Sequence, residues 1–559
     1  MSLTRWATLY RCMQGVPSRQ LGRRAWLMAK RKVVSSVRLS VLQPRRTETP
    51  AISGTPPRRV TPLRSTLVQH EEGRYWLSHL NCRFDLTPPV DWMLTSHPRA
   101  TDLQRLAMHY HEFLEAVPPE QGRDLILDWI ESNPPWQSRY WMTNWNCYGL
   151  SIRCVCWMQW MAAHPELCTE SDKERILSSL AEQIRFLCHN LETDICGNHL
   201  IRNIRCLFWA GRFFEGSEAR RWSELAGRLL KRELSVQLLP DGMHFELSPA
   251  YHCQVLCDLL EIASLMNQPE REQLLDRLEP SMQAVRCLTH PDGLISLFSD
   301  GGLHMAYTPR ECTDVWESLG RETPPDAEVI ELADAGYYGV RTERTWLLVD
   351  CGKICADALP AHGHADLLSF EWDVKGQRVV VDPGVYEYEP GMLRASSRSV
   401  ASHNTMQVDE LEPAELIGSF RTGRRSEATC DVVEMQGHQW ILKGRHRGFQ
   451  AAGRSFTCTR KFVASDECLE ITDEVDGVQG FPCQSRLLLH PSCAVDSVSD
   501  RSVRITTAET TIQLQADVPV RIVEAQWSPD FGVVESTHRI ELDYGTTPCR
   551  ASLEMRILE

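Results

Sequence analysis

The chain has 559 residues, 42% of them apolar and 24% charged, which is room for two or three domains of ordinary globular composition. No run of 18 apolar residues occurs, so no transmembrane helix is expected. The net charge of −14 is uneven: residues 1–64 carry 14 Lys or Arg against one acid, Glu48, which leaves +13 on this stretch and −27 on the remainder.

Residues 1–64 read as a basic arm ending in the Pro-, Thr- and Arg-rich linker "TETPAISGTPPRRVTPLR". Such an arm either touches a membrane surface, an acidic polymer or the body itself, or stays a disordered leader. Arg23-Arg24 is followed by "AWLMAKRKVV", too charged for the apolar core of an export signal. The 21 cysteines form no C-x-x-C and no framework, which predicts reduced thiols and points to the cytoplasm. The 17 tryptophans either fill the core or stack on sugar faces.

From about 90 to 320 the apolar period is helical. "KERILSSLAEQIRFLCHNL" puts Ile176, Leu180, Ile184, Leu187 and Leu191 on one stripe. The stretches around Leu225, Leu229, Leu230 and Leu234, and around Val255, Leu259 and Ile262, repeat the pattern. Repeated helices with short Gly or Pro breaks predict hairpins packed into a bundle or toroid. After about 330 the period becomes two, with breaks at Gly, Asp and Asn, which predicts an antiparallel sandwich. There Leu368, Phe370, Trp372 and Val374 share one face, Ser369, Glu371 and Asp373 the other, and "VKGQ" reverses the chain.

Three polar clusters interrupt these patterns. In "DICGNHLIRNIRCLFWAGRFF", Asn198 and His199 open a helix behind Gly197; taken alone they are a cap and an exposed imidazole. In "LLPDGMHFELSPAYHCQVL", Ser248-Pro249 starts a helix with Tyr251 in its first turn. A helix N-terminus favours negative charge, which suits a phenolate base; ordinary packing is the alternative. The third cluster joins His362, His364, Asp382 and His403. Two imidazoles and a carboxylate from His364, Asp382 and His403 are ligand types that suit zinc, leaving His362 for proton transfer. A buried polar network is the other reading.

"GNHLIRNIRCLFWAGRFF", "LLPDGMHFELSPAYH", "LFSDGG", "HGHADLLSFEWDVKGQRVVVDPGVYEY" and "RSVASHNTMQVD" together, in this order, resemble the signature blocks of the heparinase II/III family of polysaccharide lyases. The resemblance covers roughly residues 75–480. It implies a multidomain chain, α then β: after the arm (1–64), an incomplete (α/α) toroid over 65–325 and an antiparallel β-sandwich over 326–559. It implies cleavage of a uronic-acid-containing polysaccharide, such as a glycosaminoglycan or alginate, by β-elimination.

Carried onto this sequence, the resemblance makes Asn198 the residue that neutralises the uronate carboxylate and Tyr251, His362 and His199 the acid–base set. It makes His364, Asp382 and His403 ligands of a structural Zn(2+). Arg394, Arg398 and Tyr386, with Tyr388 as the alternative tyrosine, are implied substrate-binding residues. The expected partner is an acidic polysaccharide; no nucleic acid is expected, and a homodimer is allowed. The family implies a periplasmic or secreted location, against the cytoplasmic reading above. Arg202, Arg205, Arg212, Arg220 and Arg221 are expected to offset the acidic body near the cleft. Two other readings stand beside the lyase. One is a hydrolase using Glu246 and Asp241. The other is a non-catalytic glycan-binding protein of a surface-polysaccharide pathway.

Overall fold

The computed structural model describes residues 10–36, 48–62, 68–80, 82–135, 140–451 and 453–558. Residues 1–9, 37–47 and 63–67 of the expected arm and linker lie outside the described residues. The arm holds helix α1 (Ser18–Ser36). A three-stranded antiparallel sheet follows, β1 (Val68–Glu71), β2 (Arg74–His79) and β3 (Cys82–Asp85). Its strands are too short to set a period in the sequence.

The helical half contains α2 (Asp102–Ala107), α3 (Pro119–Ser132), α4 (Cys147–Ala163), α5 (Glu170–Asn190), α6 (Gly197–Phe213), α7 (Ser217–Gln237), α8 (Pro249–Ser264), α9 (Glu270–Cys287) and α10 (Pro309–Ser318). Local chemistry explains their starts. Thr169 and Asp172 close a capping box on α5, and Asn146 accepts the first N–H groups of α4. The predicted stripe Ile176, Leu180, Ile184 and Leu187 is fully buried. Helices α4, α6 and α8 are buried on nearly every side and pack on one another. Helices α5, α7 and α9 cover them with one apolar face each. An inner row of helices under an outer, amphipathic row is the incomplete (α/α) toroid.

The second half begins with a five-stranded antiparallel meander: β4 (Val329–Leu332), β5 (Tyr337–Arg341), β6 (Thr345–Asp350), β7 (Phe370–Val374) and β8 (Gln377–Val380). Lys375 and Gly376 take φ of 50° and 75°, the two left-handed residues of a tight hairpin, as "VKGQ" predicts. One face of this sheet, with Tyr337, Trp346 and Leu348, joins the helical core. The other, with Tyr338, Val340, Leu347 and Val349, joins the core of the β half. Both faces are dry, so the alternation in β7 does not separate core from water. Glu371 and Asp373 point instead at His290 of the helical half, whose Nε2 and Nδ1 each lie 2.9 Å from a carboxylate oxygen.

After helix α11 (Met392–Arg398), strand β9 (Met406–Val408) joins a four-stranded sheet, and β10 (Leu416–Ile417) pairs with β11 (Arg421–Thr422). An eight-stranded antiparallel sheet built between Ala428 and Leu558 completes the sandwich. Trp129, Trp157, Trp209, Trp316, Trp346, Trp372 and Trp440 are fully buried, so these rings are core rather than sugar platforms.

Candidate active site

Tyr251 stands in the first turn of α8, where Ser248 caps the helix by accepting the Tyr251 N–H. His362 sits in the loop 351–369 between β6 and β7. The two rings, one from each half of the molecule, meet with centroids 4.3 Å apart. They line an open cleft of about 1620 Å³ together with Asn198, His199, Gln254 and Tyr388.

His362 is gripped at both nitrogens. Its Nδ1 lies 2.9 Å from Asp300 Oδ2 and its Nε2 3.0 Å from Glu246 Oε2. Burial alone lowers an imidazole's pKa, but these two carboxylates override it and raise His362 to about 9, so the ring is an imidazolium at neutral pH. Burial likewise raises Glu246, yet His362, His244 and the Asn198 N–H bring it down to about 2. Asn198 donates its backbone N–H (2.7 Å) and its side-chain amide (3.0 and 3.1 Å) to the same carboxylate. This approach requires glycine at 197: its φ is +56°, and a Cβ there would lie 2.2 Å from Glu246 Oε1.

The hydroxyls of Tyr251 and Tyr388 are 3.0 Å apart. Burial and the charge of Asp300 hold the Tyr251 phenol well above its ordinary pKa. Desolvation and a nearby anion thus act against the helix terminus, which favours the phenolate. His199 opens α6, a third exposed, with Nδ1 3.0 Å from Glu192 Oε1. Burial lowers its pKa, and Glu192 more than reverses the effect.

The structure thus brings Asn198, His199, Tyr251 and His362 together and sets three other expected residues apart. Arg394 and Arg398 are each 1% exposed, behind the cleft wall. Arg394 forks onto the Asp300 carboxylate and donates to the Ser419 carbonyl, while Arg398 donates to the carbonyls of Gly363 and Gly418. Tyr386 does not line the cleft; Tyr388 does. Of the five expected cleft arginines only Arg202 lines it, and its Nε lies 3.0 Å from buried Asp258. Arg205 is locked on Glu261, and Arg220 and Arg221 are exposed on α7.

Behind His362, one donor atom each of His364, Asp366 and His403 lie within 4.8 Å of one another. His364 Nδ1, His403 Nε2 and both Asp366 oxygens are buried without a hydrogen-bond partner among the described residues. Burial pushes His364 down to about 4, so its ring is neutral, as a ligand must be. This donor set fits zinc. Asp382, the expected carboxylate ligand, borders the same cluster with Oδ2 2.9 Å from His403 Nδ1, and Asp366 adds a second carboxylate that the sequence reading did not name as a ligand. Asp300 carries no expected role in the sequence, and Glu246 only that of a hydrolase carboxylate; the available signal for both is an acid inside the family-like blocks "LFSDGG" and "HFELSP".

Residues 124–318 match the family model described as Heparinase II/III N-terminus, and residues 324–553 the model Heparinase II/III-like, C-terminal. The chain belongs to the heparinase II/III family. This family member is 27% identical over 240 residues to a heparin-sulfate lyase of Bacteroides stercoris, covering 38% of this chain and 36% of that protein. It is 23% identical over 390 residues to a heparin-sulfate lyase of Bacteroides thetaiotaomicron, covering 62% and 55%. The matches thus span about a third to a half of these curated relatives. Among solved structures, a heparinase III aligns with a TM-score of 0.69 at 18% identity, covering 84% of this chain and 79% of that one. The heparinase II/III fold therefore extends over most of the molecule.

Proposed function

We propose that the chain is a polysaccharide lyase that cleaves a uronic-acid-containing polysaccharide by β-elimination. The meeting of Tyr251 and His362 across one cleft carries this reading. In the reaction a base removes the C5 proton, the electron pair forms the C4=C5 bond, the C4–O bond breaks, and the leaving oxygen takes a proton. No water is consumed. The carbanion forms beside a carboxylate, so it needs neutralising donors. The His362 imidazolium, its two N–H groups held by Asp300 and Glu246, contributes positive charge through space, and the Asn198 amide donates to the uronate carboxylate in exchange for Glu246. One preorganised donor of this kind is worth roughly 3–4 kcal/mol. Tyr251, protonated in its buried setting, hands its proton to the leaving oxygen. His199, open to the cleft, takes the C5 proton in its neutral form.

Zinc held by His364, Asp366 and His403 would pin the loop that carries His362 and is structural in this reading. The hydrolase alternative lacks support: Glu246 is 0% exposed on its side chain beneath His362, and Asp241 accepts the N–H groups of Met243 and Ala335. Incubation with heparan sulfate, alginate and bacterial exopolysaccharides tests the proposal. Ultraviolet absorbance from an unsaturated uronate is the expected product signal. New reducing ends without it make the protein a hydrolase; binding with no cleavage of any polymer makes it a glycan-binding protein.

A further inference from the structure

We infer that the N-terminal arm forms one wall of the substrate cleft and that Arg24 on it binds an oxyanion of the polymer, a carboxylate or a sulfate, away from the scissile bond. The inference rests on the lyase reading for its substrate class, and on the following contacts for its place. The arm is strapped across both halves of the molecule. Arg11 donates from Nε and Nη2 to the Glu415 carboxylate of the β half, at 2.7 and 2.8 Å. Gln20 Nε2 donates to two carbonyls, Ile195 of the helical half at 3.1 Å and Ala358 of the loop 351–369 at 3.3 Å. Lys30 Nζ donates to Asn190 Oδ1 at 2.8 Å, and Leu27 is 1% exposed. Gln20 therefore touches the two segments that run on to Asn198 and to His362.

The face that α1 turns to the cleft is Leu21, Arg24 and Met28, at helical spacing. The Arg24 side chain is half exposed; its Nη2 donates to the Asp194 carbonyl at 3.4 Å, and its Nε lies 3.9 Å from the Asp194 carboxylate, a loose contact. Two other cleft arginines are engaged, Arg202 with buried Asp258 and Arg83 with Glu71 at 2.8 Å, while exposed Arg421 of β11 adds a further cation to the same lining. The charge distribution agrees. The body beyond residue 64 carries −27 and repels an anionic chain, whereas the arm carries the compensating positive charge.

The test measures binding by calorimetry, apart from turnover, using size-graded heparan sulfate oligosaccharides and unsulfated oligouronates on the full chain. Arg24→Gln is expected to weaken binding of long oligosaccharides about tenfold, the worth of one charge-assisted hydrogen bond. Arg24→Glu weakens it further, high salt narrows both differences, and the shortest oligosaccharides are unaffected. Loss with the unsulfated series assigns a carboxylate; loss with the sulfated series alone assigns a sulfate. Unchanged affinity at every length, or an equal loss at every length, overturns the inference. Arg24-dependent binding without an unsaturated product sinks the lyase reading alone, and product formation without Arg24 dependence sinks the arm alone.

Discussion

At the scale of single residues, the site is a chain of buried charges in which each group sets the next. Arg394 forks onto Asp300, Asp300 holds His362 and His364, and His362 meets Glu246, which anchors Asn198. Removing one partner strands the others. Arg394→Met leaves the Asp300 carboxylate buried with only imidazole partners and is expected to cost about 3–5 kcal/mol in denaturant unfolding. Adding Asp300→Asn should recover part of that loss, which a purely steric effect of the Met would not show. Tyr251→Phe makes the opposite case. It removes one hydroxyl contact with Tyr388, so stability should shift by only about 1 kcal/mol. The rate of unsaturated-product formation should nonetheless fall roughly a hundred- to ten-thousand-fold.

At the scale of elements, the five-stranded sheet is the joint between the halves. His290 from the loop after α9 lies between Glu371 and Asp373 of β7, and Arg378 of β8 pairs with Asp292. Burial and Arg378 lower the His290 pKa, and the two carboxylates outweigh them, leaving it above its ordinary 6.5. A raised folded value means the contribution is full below the unfolded value of 6.5 and is lost as pH rises through the folded one. Unfolding measured from slightly acid to alkaline pH should therefore show stability declining above neutrality, and His290→Gln should flatten that part of the curve. Left-handed φ at three non-glycine residues, Cys196, Leu247 and Ser299, marks the turns just before Asn198, Tyr251 and Asp300. Each costs on the order of 1 kcal/mol and is held by the packing around it.

At the scale of the whole molecule, the cleft exists because toroid and sandwich are clamped together, and the zinc-type cluster sits at the clamp behind His362. Purified protein is expected to carry about one zinc per chain. Its removal by a chelator should lower Tm by several degrees and reduce turnover together, with both restored by added zinc. A protein that binds no zinc, or whose Tm ignores the chelator, would leave His364, Asp366 and His403 as a polar network only.

What the sequence determined by itself is what depends on local order. Helical and two-residue periods, the Ser248-Pro249 cap and the Lys375-Gly376 turn act within a few residues, so the α-then-β architecture and the positions of Tyr251 and His362 were legible in it. The tertiary structure alone decided which charges meet. Arg394 and Asp300 are 94 residues apart, His290 and Glu371 81, and Asn198 and Glu246 48. Such pairings made Arg394 an internal clamp, brought Asp382 against His403, and placed Asp300 where its charge raises the Tyr251 phenol. Desolvation and charge act through space, and no spacing along the chain records which distant groups share one dry interior.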